Sequence, residues 1–286
     1  MHIGLLILTL ANAPTVDVSA LTDRVLLVHY DEGYVVHHGK GQKRSDEKVV
    51  ISPLNVERAT RVDQYRIASK GESFQPMSIA RKSKGTDFAW FVDSWVDGRA
   101  VNTRPDHTKE HWIYLRLPKP LVMGRSYTVA TPEGSSTLTY NPASSRSEAV
   151  HVNLLGYVPA APKKFAYVYQ WMGDGGSLDL KAYEGKTFSL IDQATRKKVF
   201  SGKVKFRTNA TNQETFHVSD TPNGNFNGAD VYECDFSAFK KPGKYVVSVD
   251  GIGCSFPFRL DPDIYREAFR TTARGLYHNR SGIELK

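Results

Sequence analysis

The chain has 286 residues, enough for two domains of ordinary size, and a formal net charge of +8 from 38 basic and 30 acidic residues. The basic residues are spread along the chain without a long basic run, which argues against nucleic-acid binding. No apolar stretch reaches the roughly 20 residues that a membrane-spanning helix needs. The 14 Pro, 22 Gly and 11% aromatic residues favour β-sandwiches over helical bundles.

The chain begins with a short apolar stretch at residues 3–11. We interpret residues 1–20 as a probable signal peptide, which predicts a secreted or periplasmic protein. Small residues offer two cleavage positions, one at Ala11 and Ala13 and the other at Val18 and Ala20. No Lys or Arg precedes the stretch, so a buried first strand remains the alternative.

Residues 21–145 alternate apolar and polar residues in short runs, which predicts an N-terminal β-sandwich accessory domain. The predicted strands lie at residues 24–30, 48–54, 88–92, 111–117 and 125–129. Small polar residues at 141–148 resemble a short linker, so the domains on either side are expected to touch.

Residues 146–262 predict a second, immunoglobulin-like sandwich, because about seven short strands occur in about 110 residues. The strands are expected at 149–159, 164–169, 189–191, 198–201, 231–236, 245–249 and 254–260. The only two cysteines, Cys234 and Cys254, fall on predicted strands. Free buried thiols are the favoured interpretation and a disulfide stays open.

The final segment changes from strand to helix periodicity. From Asp261 to Leu285, apolar residues recur at i, i+4 spacing, and Asp261 or Asp263 can cap the start. Residues 263–286 are therefore predicted to form one amphipathic helix. Its apolar face needs a partner, so we expect the chain to be the front part of a larger protein.

Two groups of residues in the first domain have metal-binding types. Residues 107–111 read His-x-x-Glu-His, an inverted zinc-peptidase motif, but that chemistry requires a helix and a strand is predicted here. The second group comprises His29, Asp31, Glu32, His37 and His38. Together with Asp106, His107 and Glu110 it could converge on a calcium or zinc site if the strands pair suitably. We interpret both groups as structural, and predict no metal and no cofactor.

Four aromatic residues of the first domain are candidates for stacking on sugar rings: Trp90, Trp95, Trp112 and Tyr114. Core packing is the alternative for the same rings.

The second domain and the helix carry a family resemblance. The segments VNLLGYVP at 152–159 and DFSAFKKPGKY at 235–245 resemble the N-terminal immunoglobulin-like domain of glycoside hydrolase family 9, the cellulase-type endoglucanases. Residues 264–285 resemble the first helix of that family's (α/α)6 catalytic barrel. The resemblance covers about residues 150–285.

The resemblance implies that the intact enzyme hydrolyses β-1,4-glucan-type bonds with inversion, using two well-separated carboxyl groups. In the family, an Asp-x-Gly-Asp segment and a later Glu supply them; neither is present in this chain. The nearest match, at Asp174, has Ser177 in the second Asp position, so we interpret it as a turn. The chain should be inactive alone, with no catalytic residue of its own.

The expected fold is thus all-β, with two sandwiches followed by one helix of a truncated barrel. The resemblance implies that Tyr265, Phe269 and Leu276 pack on the barrel and that polysaccharide is bound through the missing domain. The alternative is a standalone carbohydrate-binding or cell-surface adhesion module without catalysis.

Overall fold

The computed structural model describes residues 14–41, 47–215, 221 and 224–280, without the side chains of 90–93 and 102–106. It divides into two compact units. The first unit contains residues 14–19, 24–140 and 172–175, and the second contains residues 20–23, 141–171 and 176–280. Strands dominate both units and one longer helix follows the second, which confirms the predicted all-β fold class.

The first unit is built from short strands, one short helix and two long strands. In chain order these are β1 Thr15–Thr22, β2 Val25–Asp31, β3 Gly33–Val36, β4 Lys48–Ile51, α1 Val56–Ala59, β5 Arg66–Ser69, β6 Glu72–Phe74, β7 Ser78–Val96, β8 Arg99–Arg116, β9 Ser126–Thr131 and β10 Gly134–Thr139.

Two four-stranded sheets and a small hairpin organise these strands. The sheet orders are β1-β2-β8-β7 and β10-β9-β5-β6, and β3 pairs with β4. The central strands carry the buried apolar residues: residues 25–28 of β2 are all buried, and so is Ile67 of β5. The hydroxyls of Tyr30 and Tyr65 lie 3.3 Å apart in the buried interior, and burial raises the pKa of Tyr30.

The hairpin of β7 and β8 is much longer than the predicted strands at 88–92 and 111–117. Strand β2 pairs with β8 only from Glu110 to Arg116, and β7 continues to pair with β8 as far as Val96 and Arg99. Asp97 and Gly98 form the two-residue turn with positive φ of 49° and 74°, as a type I′ hairpin requires. The sheet is therefore extended by a two-stranded ribbon.

The second unit contains eight strands and the C-terminal helix: β11 Val150–His151, β12 Phe165–Val168, β13 Thr187–Asp192, β14 Lys198–Thr208, β15 Val231–Asp235, β16 Gly243–Val249, β17 Gly253–Cys254, β18 Phe258–Leu260 and α2 Arg266–His278. Their sheet order is β11-β12-β15-β14-β13-β16-β17, and β18 also pairs with β16. The first half of β14 pairs with β13 and its second half with β15, so β14 links the two halves of the sheet.

Aromatic rings from both halves meet in the core of the second unit. Phe236, which follows β15, lies 5.5 Å from Phe258 of β18 between ring centroids, and Tyr157 contacts both rings edge-on. Both phenylalanines are at most 1% exposed. These aromatic rings bury apolar surface between the two halves of the sheet, and this burial stabilises the sandwich.

The residues predicted as a linker, 141–148, belong to the second unit and are hydrogen-bonded there. The Ser145 N–H donates to the Asn141 carbonyl at 2.6 Å, and the buried Ser147 hydroxyl donates to the Leu21 carbonyl at 2.6 Å. Strand β1 begins at Thr15, so cleavage after Ala20 would remove most of it. Residues 1–13 of the predicted signal peptide lie outside the described residues.

Among the residues that the structure describes, no helix is both long enough and apolar enough to cross a membrane.

Candidate functional site

The junction between strand β18 and helix α2 is held by a tight turn. The Asp261 carboxylate accepts a hydrogen bond from the Asp263 N–H at 2.9 Å, and the Asp261 carbonyl accepts one from Ile264 at 3.2 Å. Ile264 is only 6% exposed and closes the core. Asp261 therefore stabilises this turn, and the helix begins at Arg266, three residues later than the predicted start at residue 263.

Gly156 lies close to this turn because it has no side chain. Its φ is +112°, and a Cβ atom there would lie 2.4 Å from the Arg259 carbonyl oxygen and 2.9 Å from a side-chain carbon of Ile264. Only glycine combines this backbone conformation with so little space. Gly156 is thus required for the close packing of the junction.

Tyr157 completes the support beneath the junction. Its hydroxyl donates to the Phe165 carbonyl at 2.6 Å and accepts from the Asn153 N–H at 3.0 Å. Burial raises the pKa of Tyr157 to about 12, so the phenol stays protonated and can donate. Its main chain bonds to Arg259 and Asp261, which ties the motif to β18.

Tyr265, the residue that precedes α2, joins the helix to this support. Its hydroxyl donates to the Gly156 carbonyl at 2.9 Å and accepts from the Asn153 side-chain amide at 3.1 Å. The Phe269 N–H donates to the Tyr265 carbonyl at 2.8 Å and so starts the helical hydrogen bonds. Asn153, Gly156 and Tyr157 were not predicted as functional residues, although they lie in the motif that carried the resemblance.

Helix α2 exposes its apolar side. None of its residues is buried, and Phe269 and Leu276 are 73% and 67% exposed. Tyr265, at the base of the same stripe, is 40% exposed. A helix of 13 residues is marginal by itself in water, and an amphipathic helix is normally stabilised by burying its apolar face. This exposed stripe of Tyr265, Phe269 and Leu276 is the candidate functional surface, which we call the α2 stripe.

The four aromatic residues predicted to bind carbohydrate do not form one platform on the described surface. Tyr114 is fully buried, whereas Trp95 near the tip of the ribbon is 66% exposed. Trp112 is half-buried, with its ring 4.9 Å from that of His29 and the Lys82 ammonium 4.7 Å above it. The side chain of Trp90 lies outside the described residues. Carbohydrate binding by the remaining rings stays a prediction.

The His-x-x-Glu-His segment lies within strand β8, and its side chains have different partners. His111 is buried between the Glu32 carboxylate at 3.0 Å and the Ser83 hydroxyl at 2.8 Å. Glu110 bonds instead to His29 at 2.7 Å, and the His107 ring stacks on Phe88.

The other predicted ligands bond to a turn or to carboxylates. The Asp31 carboxylate accepts from the Gly33 N–H at 2.9 Å and stabilises a turn. His37 bonds to Asp87 at 2.8 Å and to Glu47 at 3.4 Å, and His38 bonds to the same Glu47 oxygen at 2.7 Å. The Asp87 and Glu47 carboxylates raise the pKa of His37, as expected for a surface cluster of opposite charges. No group of three or more metal-binding side chains converges within the described ranges, which omit the Asp106 side chain.

Neither the cysteines nor the Asp174 segment has features of a reactive site. Cys234 and Cys254 are free and buried, and burial raises the pKa of both thiols. Asp174 lies in a short 3₁₀ helix and accepts a hydrogen bond from the Arg81 N–H at 2.6 Å. Asp174 thus lies in a short turn-like segment, and its carboxylate bonds to the backbone of strand β7.

Comparisons with known proteins concern mainly the second unit. Residues 145–254 match the family described as the cellulase N-terminal ig-like domain. Endoglucanase D of Acetivibrio thermocellus is 38% identical over 55 residues, which cover 19% of this chain and 9% of that protein. A cellodextrinase of Butyrivibrio fibrisolvens is 29% identical over 136 residues, covering 48% of this chain and 19% of that protein.

Among solved structures, a metagenome-derived glycoside hydrolase family 9 endoglucanase aligns with 48% of this chain and 22% of its own. The sequence identity is 24% and the TM-score 0.36. The chain therefore spans less than a quarter of the length of each of these relatives. Residues 145–254 belong to the N-terminal immunoglobulin-like domain family of family 9 cellulases.

Proposed function

We propose that this chain is the non-catalytic part of a family 9-like polysaccharide-degrading enzyme and that the second unit supports a helical catalytic barrel. The observation that carries the proposal is the α2 stripe. It begins directly at a well-packed sandwich, yet none of its residues is buried. A barrel packed on this face would cover Phe269 and Leu276, which supplies the hydrophobic stabilisation that the helix lacks.

The chemistry of the intact enzyme would come from the barrel. Under this proposal the barrel carries both carboxyl groups and hydrolyses β-1,4-glucan-type bonds with inversion. The immunoglobulin-like unit fixes the position of the first barrel helix through Tyr265 and Ile264 and takes no part in proton transfer. Because polysaccharides of this type are met outside the cell, we propose a secreted or periplasmic enzyme.

The first test compares the self-association of the full chain with that of a variant in which the α2 stripe is made polar. We expect the full chain to self-associate in sedimentation velocity runs and the double variant Phe269→Gln, Leu276→Gln to remain monomeric, since exposed apolar patches drive association. The matched control is Val122→Gln, Met123→Gln, which replaces two exposed apolar residues of the first unit, 49% and 69% exposed. Equal association of the wild type and the α2 variant would contradict the proposal.

The second test reads the DNA that follows codon 286. A frame that encodes an Asp-x-Gly-Asp segment followed by helical repeats is the expected result. A stop codon followed by unrelated sequence would refute the barrel partner and favour the standalone binding module.

A further inference from the structure

A small recess in the second unit contains an arginine with two buried donor atoms that have no hydrogen-bond partner among the described residues. The recess has a volume of ≈ 200 Å³, and Arg146, Gln193, Arg196, Cys254 and Phe256 are among the residues that line it. We call it the Arg146 recess. It involves neither the α2 stripe nor the support beneath it.

The Arg146 guanidinium is the unusual feature of the recess. Its Nε and Nη1 atoms are buried, and neither has a hydrogen-bond partner among the described residues. One face of the guanidinium lies 3.9 Å from the centroid of the Phe256 ring. Buried donors without partners are rare because their desolvation is not repaid, so this group is expected to have a ligand.

A second guanidinium lies on the same recess. Arg196 lies in the turn between β13 and β14 with a positive φ of 58°, and its N–H donates to the Asp192 carbonyl at 2.8 Å. The Asp192 carboxylate accepts from the N–H groups of Ala194 and Thr195, so it stabilises the turn. The fixed turn holds the base of Arg196 on the rim of the recess.

Glu148 influences Arg146 electrostatically, but within the described part of the chain it does not bond to the buried Nε and Nη1 atoms. Desolvation is the main effect on Arg146 and lowers its pKa. Arg146, Arg196 and Cys254 all line the recess, so two positively charged residues lie around one small space.

We propose that the Arg146 recess binds a small oxyanion, namely a carboxylate, phosphate or sulfate group. Guanidinium groups bind such oxyanions with strong, charge-assisted hydrogen bonds, and Gln193 offers a further polar side chain at the recess. The volume suits a small ion or one acidic sugar, because sites for larger ligands measure roughly 300–1,000 Å³. The proposal does not depend on the presence of a catalytic barrel.

The test is a calorimetric titration of the full chain with inorganic phosphate at constant ionic strength, maintained with chloride. We expect a dissociation constant on the order of 1 mM, and a loss of about tenfold or more in affinity for Arg146→Gln. Arg196→Gln should weaken binding by a smaller factor, since its guanidinium is exposed. The matched control is Lys205→Gln, which removes one exposed positive charge from β14 of the same unit and should leave the affinity unchanged.

Two further titrations identify the chemical group that the recess binds. Glucuronate should compete with phosphate and glucose should not, because only the former carries a carboxylate. If all four proteins bind phosphate equally, or if phosphate gives no heat beyond dilution, the proposal is wrong. Circular dichroism verifies that each variant is folded. If Arg146→Gln does not fold, the phosphate affinity of Arg196→Gln decides the test.

Discussion

Similar apolar residues are buried in the sandwich interior and exposed on helix α2. Phe258 and Ile264, on the sandwich side of the junction, are 1% and 6% exposed. Phe269 and Leu276, only a few residues further along the chain, are 73% and 67% exposed. Fully burying a side chain of this size contributes roughly 1.5–3 kcal/mol, so the sandwich already gains this stabilisation and the helix does not. The second unit therefore buries its own large apolar side chains at Phe258 and Ile264, and those of α2 stay exposed.

The largest expected effect comes from replacing one phenylalanine on each side of the junction. Phe258→Ala should lower the free energy of unfolding by about 3–5 kcal/mol, because it removes a buried ring that contacts Tyr157, Phe236 and Tyr245. Phe269→Ala should leave it unchanged to within about 0.5 kcal/mol, since an exposed side chain loses little on truncation. Calorimetric unfolding of the full chain measures both variants.

Equal destabilisation by these two variants would show that α2 packs against something in the isolated chain. In that case the α2 stripe would not be available for a barrel, and the comparison between interior and helix would no longer hold.

Substitutions at two glycines test the junction, and each should change the free energy of unfolding by an intermediate amount. Gly156→Ala should destabilise the second unit by about 1–3 kcal/mol, because the new Cβ meets backbone in a left-handed conformation. Gly275→Ala, in the last turn of α2, has open space around its Cβ and should instead stabilise the helix by up to about 1 kcal/mol. Thermal unfolding followed at 222 nm records both changes.

Opposite signs for these two glycine variants are the essential result. If Gly156→Ala were neutral, the close approach of residue 156 to Arg259 and Ile264 would not exist in solution, and the proposed support for the helix would have to be abandoned.

Much of the sandwich could be predicted because its strands are short runs of apolar and aromatic residues. In β12 all four residues, 165–168, are of these types, which indicates a strand. The structure adds which face is buried: Ala166 and Val168 are buried, while Phe165 and Tyr167 are only partly buried. The long hairpin of β7 and β8 was underestimated, although its Asp97-Gly98 turn is a strong hairpin signal.

Other features depend on contacts that a linear pattern does not contain. The helix begins at Arg266 and not at the predicted residue 263, because the Asp261 carboxylate accepts from the Asp263 N–H within the turn before Ile264. The role of Gly156 depends on Arg259 and Ile264, which lie about a hundred residues away. Arg146 was part of a segment interpreted as a linker, and only the fold shows that its donors are buried without partners.

The smallest expected effect concerns the hydroxyl of Tyr265, which joins the two regions. Tyr265→Phe removes a donor to the Gly156 carbonyl and an acceptor for Asn153, and should cost about 0.5–1.5 kcal/mol, towards the lower value because the residue is 40% exposed. The loss should be local. Hydrogen exchange of the Phe269 amide, which bonds to the Tyr265 carbonyl, should therefore accelerate severalfold while the core of β16 is unaffected.

Tyr277→Phe is the matched control for this last prediction, because it removes a tyrosine hydroxyl from the exposed end of α2. We expect no change in exchange at Phe269. If Tyr265→Phe also leaves that amide unchanged, the tyrosine does not anchor the helix, and its orientation would have to come from Ile264 alone. If exchange accelerates throughout α2, the sandwich positions the helix through this one hydroxyl, as the supporting role proposed for the second unit requires.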